Sequence, residues 1–196
     1  MKLARVDTIR EVESERLCSL ERRINAVVRL DGLRDRGSYF RYELTKARGW
    51  CAVVTEAVNG NARRLAEGFM MSGAASVCCL SIPFWLADGS SIGYEGIASE
   101  AVVAEMLLKW APFDYVLAGF ASPDTLTAMV LVTMDDGAIL IGSRSFVSAC
   151  VGDVESVRAE FREVAINDPR ADALLAIGDA VDAYSNLRDG ETVGLP

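Results

Sequence analysis

Apolar and polar positions follow one another along this chain in two rhythms, and each rhythm predicts an element. From residue 3 to 30 the apolar positions Leu3, Val6, Leu17, Leu20, Ile24 and Val27 fall at helical spacing, with charges filling the gaps. That stretch predicts one long amphipathic helix, interrupted on its seam by Arg10 and Glu13 and ended at Asp31-Gly32. Three shorter runs are continuously apolar and rich in β-branched or aromatic residues: "WCAVVTEA" (50–57), "ASVCCLSI" (75–82) and "FDYVLAGF" (113–120). They predict strands. Residues 61–72 and 99–110 predict helices between them, the second apolar nearly all round and therefore buried. A strand, a helix and a strand in such compact order predict a right-handed parallel crossover.

Farther on, "TAMVLVTM" and "AILIGSRSFVSACV" flank Asp135-Asp136-Gly137. An Asp-Gly pair between β-rich runs predicts a hairpin, because the tight turn needs positive φ. Two helices close the pattern. One is 153–166, with Val154, Val157, Phe161 and Val164 on a stripe; the other starts at Asp168-Pro169 and carries Leu174, Ile177, Val181 and Tyr184. The fold class expected is α/β (α+β): a mixed sheet of about five strands with a β-α-β-α-β core, a C-terminal-side hairpin, a long N-terminal helix and two C-terminal helices. The expected divisions are the helix to residue 31, a connector at 32–48, an α/β domain at 49–190 and a loose tail at 191–196.

Composition narrows the chemistry. Hydrophobic residues make up 51% of the 196 and charged residues 24%, which suits one packed domain. The first residues turn charged at once, unlike the apolar centre of a signal peptide, and no apolar run is long enough for a transmembrane helix. A cytoplasmic protein with no membrane partner is expected. Histidine is absent, so neither a Ser-His or Cys-His pair nor a histidine-bearing metal site can form. No catalytic residue, metal or cofactor is assigned, and the reading leans away from an enzyme. Cys18, Cys51, Cys78, Cys79 and Cys150 sit in apolar or helical patterns and read as reduced core thiols.

Charge is lopsided. Residues 1–50 hold 12 basic and 8 acidic side chains, residues 51–196 hold 8 and 20, and the chain carries −8 overall. An acidic body disfavours direct nucleic-acid binding and suits a protein partner with a basic surface.

Three groups of residues are candidate sites. "VNGNARRLAEGF" (58–69) joins a strand end to a helix start, with Asn59-Gly60 as a turn, Asn61 as cap, and Arg63 and Arg64 in the first turn. Cations there oppose the helix dipole, so an anion, a partner's acid or an acid such as Asp88 or Glu95 should offset them. Tyr94, Glu95 and Glu100 belong to a long glycine-rich connection (83–98) and its edge, where Glu with Tyr could do acid–base work. Asn59, Asn61, Arg63, Arg64, Tyr94 and Glu95 form the candidate anion or partner site. The connector interleaves Arg34, Arg36 and Arg41 with Tyr39, Phe40 and Tyr42 and is a candidate interface. Leu17, Leu20, Ile24 and Val27 are a candidate oligomer seam. Asp135 and Asp136 read as turn residues, and Asp172, Asp179, Asp182 and Asp189 as a solvated face.

The expected function is a non-catalytic acidic protein that binds a macromolecular partner: an inhibitor, immunity-type or regulatory protein, with a nucleic-acid-handling enzyme or complex as one candidate target. One alternative is a small-ligand domain or enzyme using the 57–64 turn and the 83–98 loop, with Glu95 or Glu100 as base. The other is an assembly protein that forms a homo-oligomer through the N-terminal helix.

Overall fold

The computed structural model describes residues 9–31, 41–47, 49–55, 61–81, 92–110, 115–133 and 137–195. In chain order the elements begin β1 (Arg10–Glu11), α1 (Ser14–Asn25), β2 (Val28–Asp31), β3 (Arg41–Thr45), β4 (Trp50–Thr55) and α2 (Ala62–Met71). They continue β5 (Ser76–Ser81), β6 (Gly93–Ile97), α3 (Glu100–Trp110), β7 (Tyr115–Ser122), β8 (Thr125–Thr133) and β9 (Gly137–Ser143). The chain closes with α4 (Arg144–Val151), α5 (Val154–Asn167), α6 (Ala171–Asn186) and β10 (Thr192–Leu195).

Seven strands form one sheet in the order β1-β6-β5-β7-β8-β9-β4, and a smaller sheet has the order β10-β3-β2. Every pairing is antiparallel. Successive side chains of a strand point to opposite faces. Cys78, Leu80, Ala118, Met129, Leu131 and Ile141 therefore share one face, and Val77, Cys79, Leu117, Val130 and Leu140 the other. Both faces are apolar and both are covered. Leu20 and Ile24 of α1, Phe161 of α5, Val181 and Tyr184 of α6, and Leu44 and Leu195 of the small sheet close the first. Leu65 and Phe69 of α2, Val102 and Met106 of α3, and Phe146 and Val147 of α4 close the second.

The mixed α/β class and the helices at 62–71, 100–110 and 154–167 follow the hydrophobic pattern. The parallel crossover does not. β4 and β5 are separated by β9, β8 and β7 in the sheet, so α2 joins two strands that never meet. A strand buried on both faces is apolar throughout, which is ordinarily the signature of a parallel sheet; here antiparallel strands carry it because helices cover both sides. The sheet also exceeds five strands because β6, and then β1, add at one edge. β6 lies inside what the sequence suggested was a loop. Its outward pattern is weak, since Gly93 and Gly96 leave few side chains to read.

The expected hairpin is present as β8–β9, registered from Ala128 opposite Gly142 to Thr133 opposite Gly137; Asp135 and Asp136 fall outside the described residues. The second half of its apolar run, however, is α4, because the Ser143 hydroxyl accepts from the Phe146 amide and caps a helix there. α1 is shorter than 3–30: residues 10–11 pair with β6 and residues 28–31 with β3. α6 begins at Ala171, after a turn in which the Asp168 carboxylate accepts from the Arg170 amide at 2.7 Å, and not at Pro169. The expected loose tail is instead β10, which pairs with β3 and buries Leu195.

Candidate functional site

The stretch at the start of α2 retains only part of its candidate set. Asn59 lies outside the described residues. Asn61 occupies the N-cap position, yet its side chain makes no capping bond. The Arg63 guanidinium donates to Glu67 Oε1 at 2.9 Å, one helical turn on, and this bond, with the charges of Glu67 and Glu100, holds its pKa above the ordinary value. The dipole conflict is thus offset inside α2 for one arginine. Arg64 has no ion-pair partner among the described residues. Its side chain lines a cavity of about 190 Å³ together with Thr55, Asn61, Cys150 and Glu160, over a wall of Leu65, Leu140, Val151 and Val157. Glu160 was missed by sequence reasoning. It comes from α5, far along the chain, and no local spacing links it to α2.

Glu95 does not offset the arginines of α2. It sits on β6, toward the opposite end of the sheet from β4. There it accepts from Arg10 Nε at 3.0 Å, and Arg16 Nε stands 3.5 Å from its other oxygen. Arg16 also donates to the Pro123 carbonyl at 2.7 Å, tying α1 to the β7–β8 turn. Tyr94, its neighbour, projects to the other face, where Lys109 Nζ lies 3.8 Å from its ring centroid. Adjacent strand residues cannot serve one face as a Tyr–Glu pair. The candidate anion set is therefore split: Asn61, Arg63 and Arg64 start α2, whereas Tyr94 and Glu95 lie on opposite faces of β6. Asp88 is outside the described residues. A shallow groove of about 870 Å³ runs beside the Arg10–Glu95–Arg16 cluster, bounded by Ile9, Ile97 and Ser122.

Of the candidate interface, Arg34, Arg36, Tyr39 and Phe40 lie outside the described residues. Arg41 and Tyr42 are in β3, their backbone opposite Asp31 and Leu30. The candidate seam is used within this chain: Leu20, Ile24 and Val27 are buried, and Leu17 packs beside them over Gly93. Asp179 and Asp182 are not merely solvated. Arg162 reaches both, at 2.7 and 2.8 Å, and Arg158 pairs with Asp182 at 2.9 Å, bracing α5 against α6.

Three cysteines match the core reading. Burial pushes the Cys150 thiol up to about 12, and Cys78 and Cys79 are raised for the same reason. Cys51 is half-buried among Lys46, Arg158 and Arg144, but desolvation outweighs these cations and its pKa is raised as well. Cys18 departs from the expectation and is exposed, on the outer side of α1.

Residues 152–195 hold ten acidic and four basic side chains, a net of −6 in 44 residues, where residues 51–151 spread the same −6 over 101. Two of those four, Arg158 and Arg162, are the ones engaged with Asp182 and Asp179. Val164 and Ile166 of α5 are exposed among the acids. Among the described residues no three His, Cys, Asp or Glu side chains gather as a metal site, and no helix is long and apolar enough to cross a membrane. Compared with known proteins, the chain matches no family model, no curated protein and no solved structure.

Proposed function

We propose that the chain is a non-catalytic acidic protein that acts by binding a macromolecular partner with a basic surface, in the manner of an inhibitor, an immunity-type or a regulatory protein. The observation that carries this reading is the placement of charge. Negative charge is densest in the α5–α6 layer and the segment after it, where two arginines are already committed to bracing the helices. The remaining acids include Glu163 and Asp172, which are exposed, and α5 also exposes Val164 and Ile166. Acids steer and orient a basic partner, while a desolvated apolar contact supplies affinity. Because both sheet faces are closed by helices, recognition falls to the outer surface of such a layer.

The test is affinity purification of the tagged chain from its native host beside the Glu163→Lys/Asp172→Lys variant. The expected result is a stoichiometric partner with a basic surface. It should be released as salt rises from about 0.1 M to about 1 M, where the screening length falls from about 10 Å to about 3 Å. The variant should fail to retain it. A partner held equally by the variant, or indifferent to salt, would count against the reading.

A further inference from the structure

The cavity of about 190 Å³ beside the first turn of α2 holds two opposite charges that do not pair. Arg64 brings a guanidinium from α2 and Glu160 a carboxylate from α5. Neither has an ion-pair partner among the described residues, although both line the same space. Thr55 and Asn61 add neutral polar groups; the apolar part of the lining is smaller and is offered mainly by the half-buried Val151 and Val157, since Leu65 and Leu140 are buried. A few convergent polar groups over an apolar wall are what a small-molecule site requires. A ligand with one charge would meet one attraction and one repulsion here. A ligand with both charges meets two attractions. The volume lies below the roughly 300 Å³ at which drug-sized pockets begin, so the ligand is small.

We infer that this cavity binds a small zwitterion of the α-amino-acid class. Its carboxylate sits on Arg64, whose planar fork accommodates both oxygens. Its ammonium donates to Glu160, and a short aliphatic side chain lies against Val151 and Val157. The inference is independent of the partner-binding reading, since neither Glu163 nor Asp172 lines this cavity.

The full chain, labelled with ¹⁵N, would be titrated with L-valine, with glycine, and with propionate and isobutylamine as single-charge halves. L-Valine at millimolar concentration should move the amide signals of residues 61–65 and 150–160. Each half-molecule should bind about tenfold or more weakly, a difference of about 1.4 kcal/mol. Glycine should fall between, for want of the apolar contact. Arg64→Ala and Glu160→Gln should each weaken L-valine by about tenfold while the remaining spectrum is unchanged, and Arg64→Lys should keep part of the affinity. Absence of those shifts with L-valine would overturn the inference. So would half-molecules that bind as well as the whole, or variants that keep full affinity.

Discussion

The two helical layers rest on one sheet and are fastened to it by different physics. On the α2–α4 side the contact is dry and close. A Cβ at Gly119 would lie 2.6 Å from Phe69 Cδ1, and one at Gly142 would lie 2.7 Å from Phe146 Cδ1, so these glycines let two aromatic rings settle onto the strands. The rings lie 5.3 Å apart and tilted at 44°, within the centroid range of favourable aromatic pairs. On the α5–α6 side, charge is added to the apolar contact of Phe161, Val181 and Tyr184. The buried Lys46 ammonium donates to the Trp50 carbonyl and, at 3.1 Å each, to those of Tyr184 and Ser185. Arg158 reaches toward the Ala52 carbonyl and pairs with Asp182. The difference has a cause in the sheet. β4 is its edge strand, and a dry layer there would leave the Trp50 and Ala52 carbonyls without donors. Cations therefore cap the edge, while the interior strands accept a layer of bare hydrocarbon.

The dry side should be the more expensive one to break. Phe69 is fully buried between α2, α4 and Gly119, and Phe69→Ala should cost about 3–5 kcal/mol, measured by urea unfolding at unchanged slope. A cost near that of a surface substitution would mean that the layer is not packed as described.

Lys46 probes the charged side at its most buried point. Lys46→Met keeps the stem's volume and removes all three donors. The carbonyls of Trp50, Tyr184 and Ser185 then lose a charged partner, two of them at the C-terminal end of α6, where a cation also answers the helix dipole. The expected loss is about 2–3 kcal/mol, somewhat under that of Phe69→Ala, because water can replace part of what is lost at a helix end. Amide exchange would sharpen the comparison. It should quicken in α6 and β10 and leave α2 protected.

How far these two sides were legible in the sequence follows from the range of the forces. Phe161, Leu174, Ile177 and Val181 announced their helices through spacing alone, and the Asp-Gly pair announced β8–β9, because both signals are local. Strand order was not legible, since a run such as "ASVCCLSI" reads identically whatever neighbours it has. Lys46 stood in a stretch of basic and aromatic residues whose sequence does not say which of them face solvent; two of its three acceptors come from α6, some 140 residues on. A separation of 96 residues likewise hid Glu160 from Arg64, and the strand order, which no local pattern announces, kept Glu95 from the arginines it was expected to meet. Asp179 and Asp182 were visible as an i,i+3 pair, but their arginines on α5 were not visible as partners.

The α5–α6 ion pairs should yield much less than Lys46, although they belong to the same layer. Asp182 and Arg158 remain about a third and a quarter exposed. Solvent screens such a network, so Asp182→Asn should cost only about 0.5–1 kcal/mol, and the difference from wild type should shrink in high salt. A loss as large as that for Lys46→Met would mean that these charges, rather than the edge-strand cap, hold the layer.

The smallest expected effect comes from the helix starts of this layer and appears only in acid. The Asp153 carboxyl accepts from the Ser156 hydroxyl and the Glu155 amide at the cap of α5, and these bonds lower its pKa. The Asp168 carboxyl is lowered chiefly by the Arg170 side chain. A carboxylate lowered in the folded state adds stability above its unfolded pKa of about 3.9, and that contribution disappears as pH falls through the folded value. The urea midpoint should therefore be flat from pH 7 to about pH 5 and decline below about pH 4. Asp153→Asn should flatten that decline slightly while keeping a capping oxygen on α5. The α2 and α4 starts carry no acid in their first turns, so acid should loosen the charged layer before the dry one. Amide exchange at low pH that quickened first in α2 would reverse the order of the two faces.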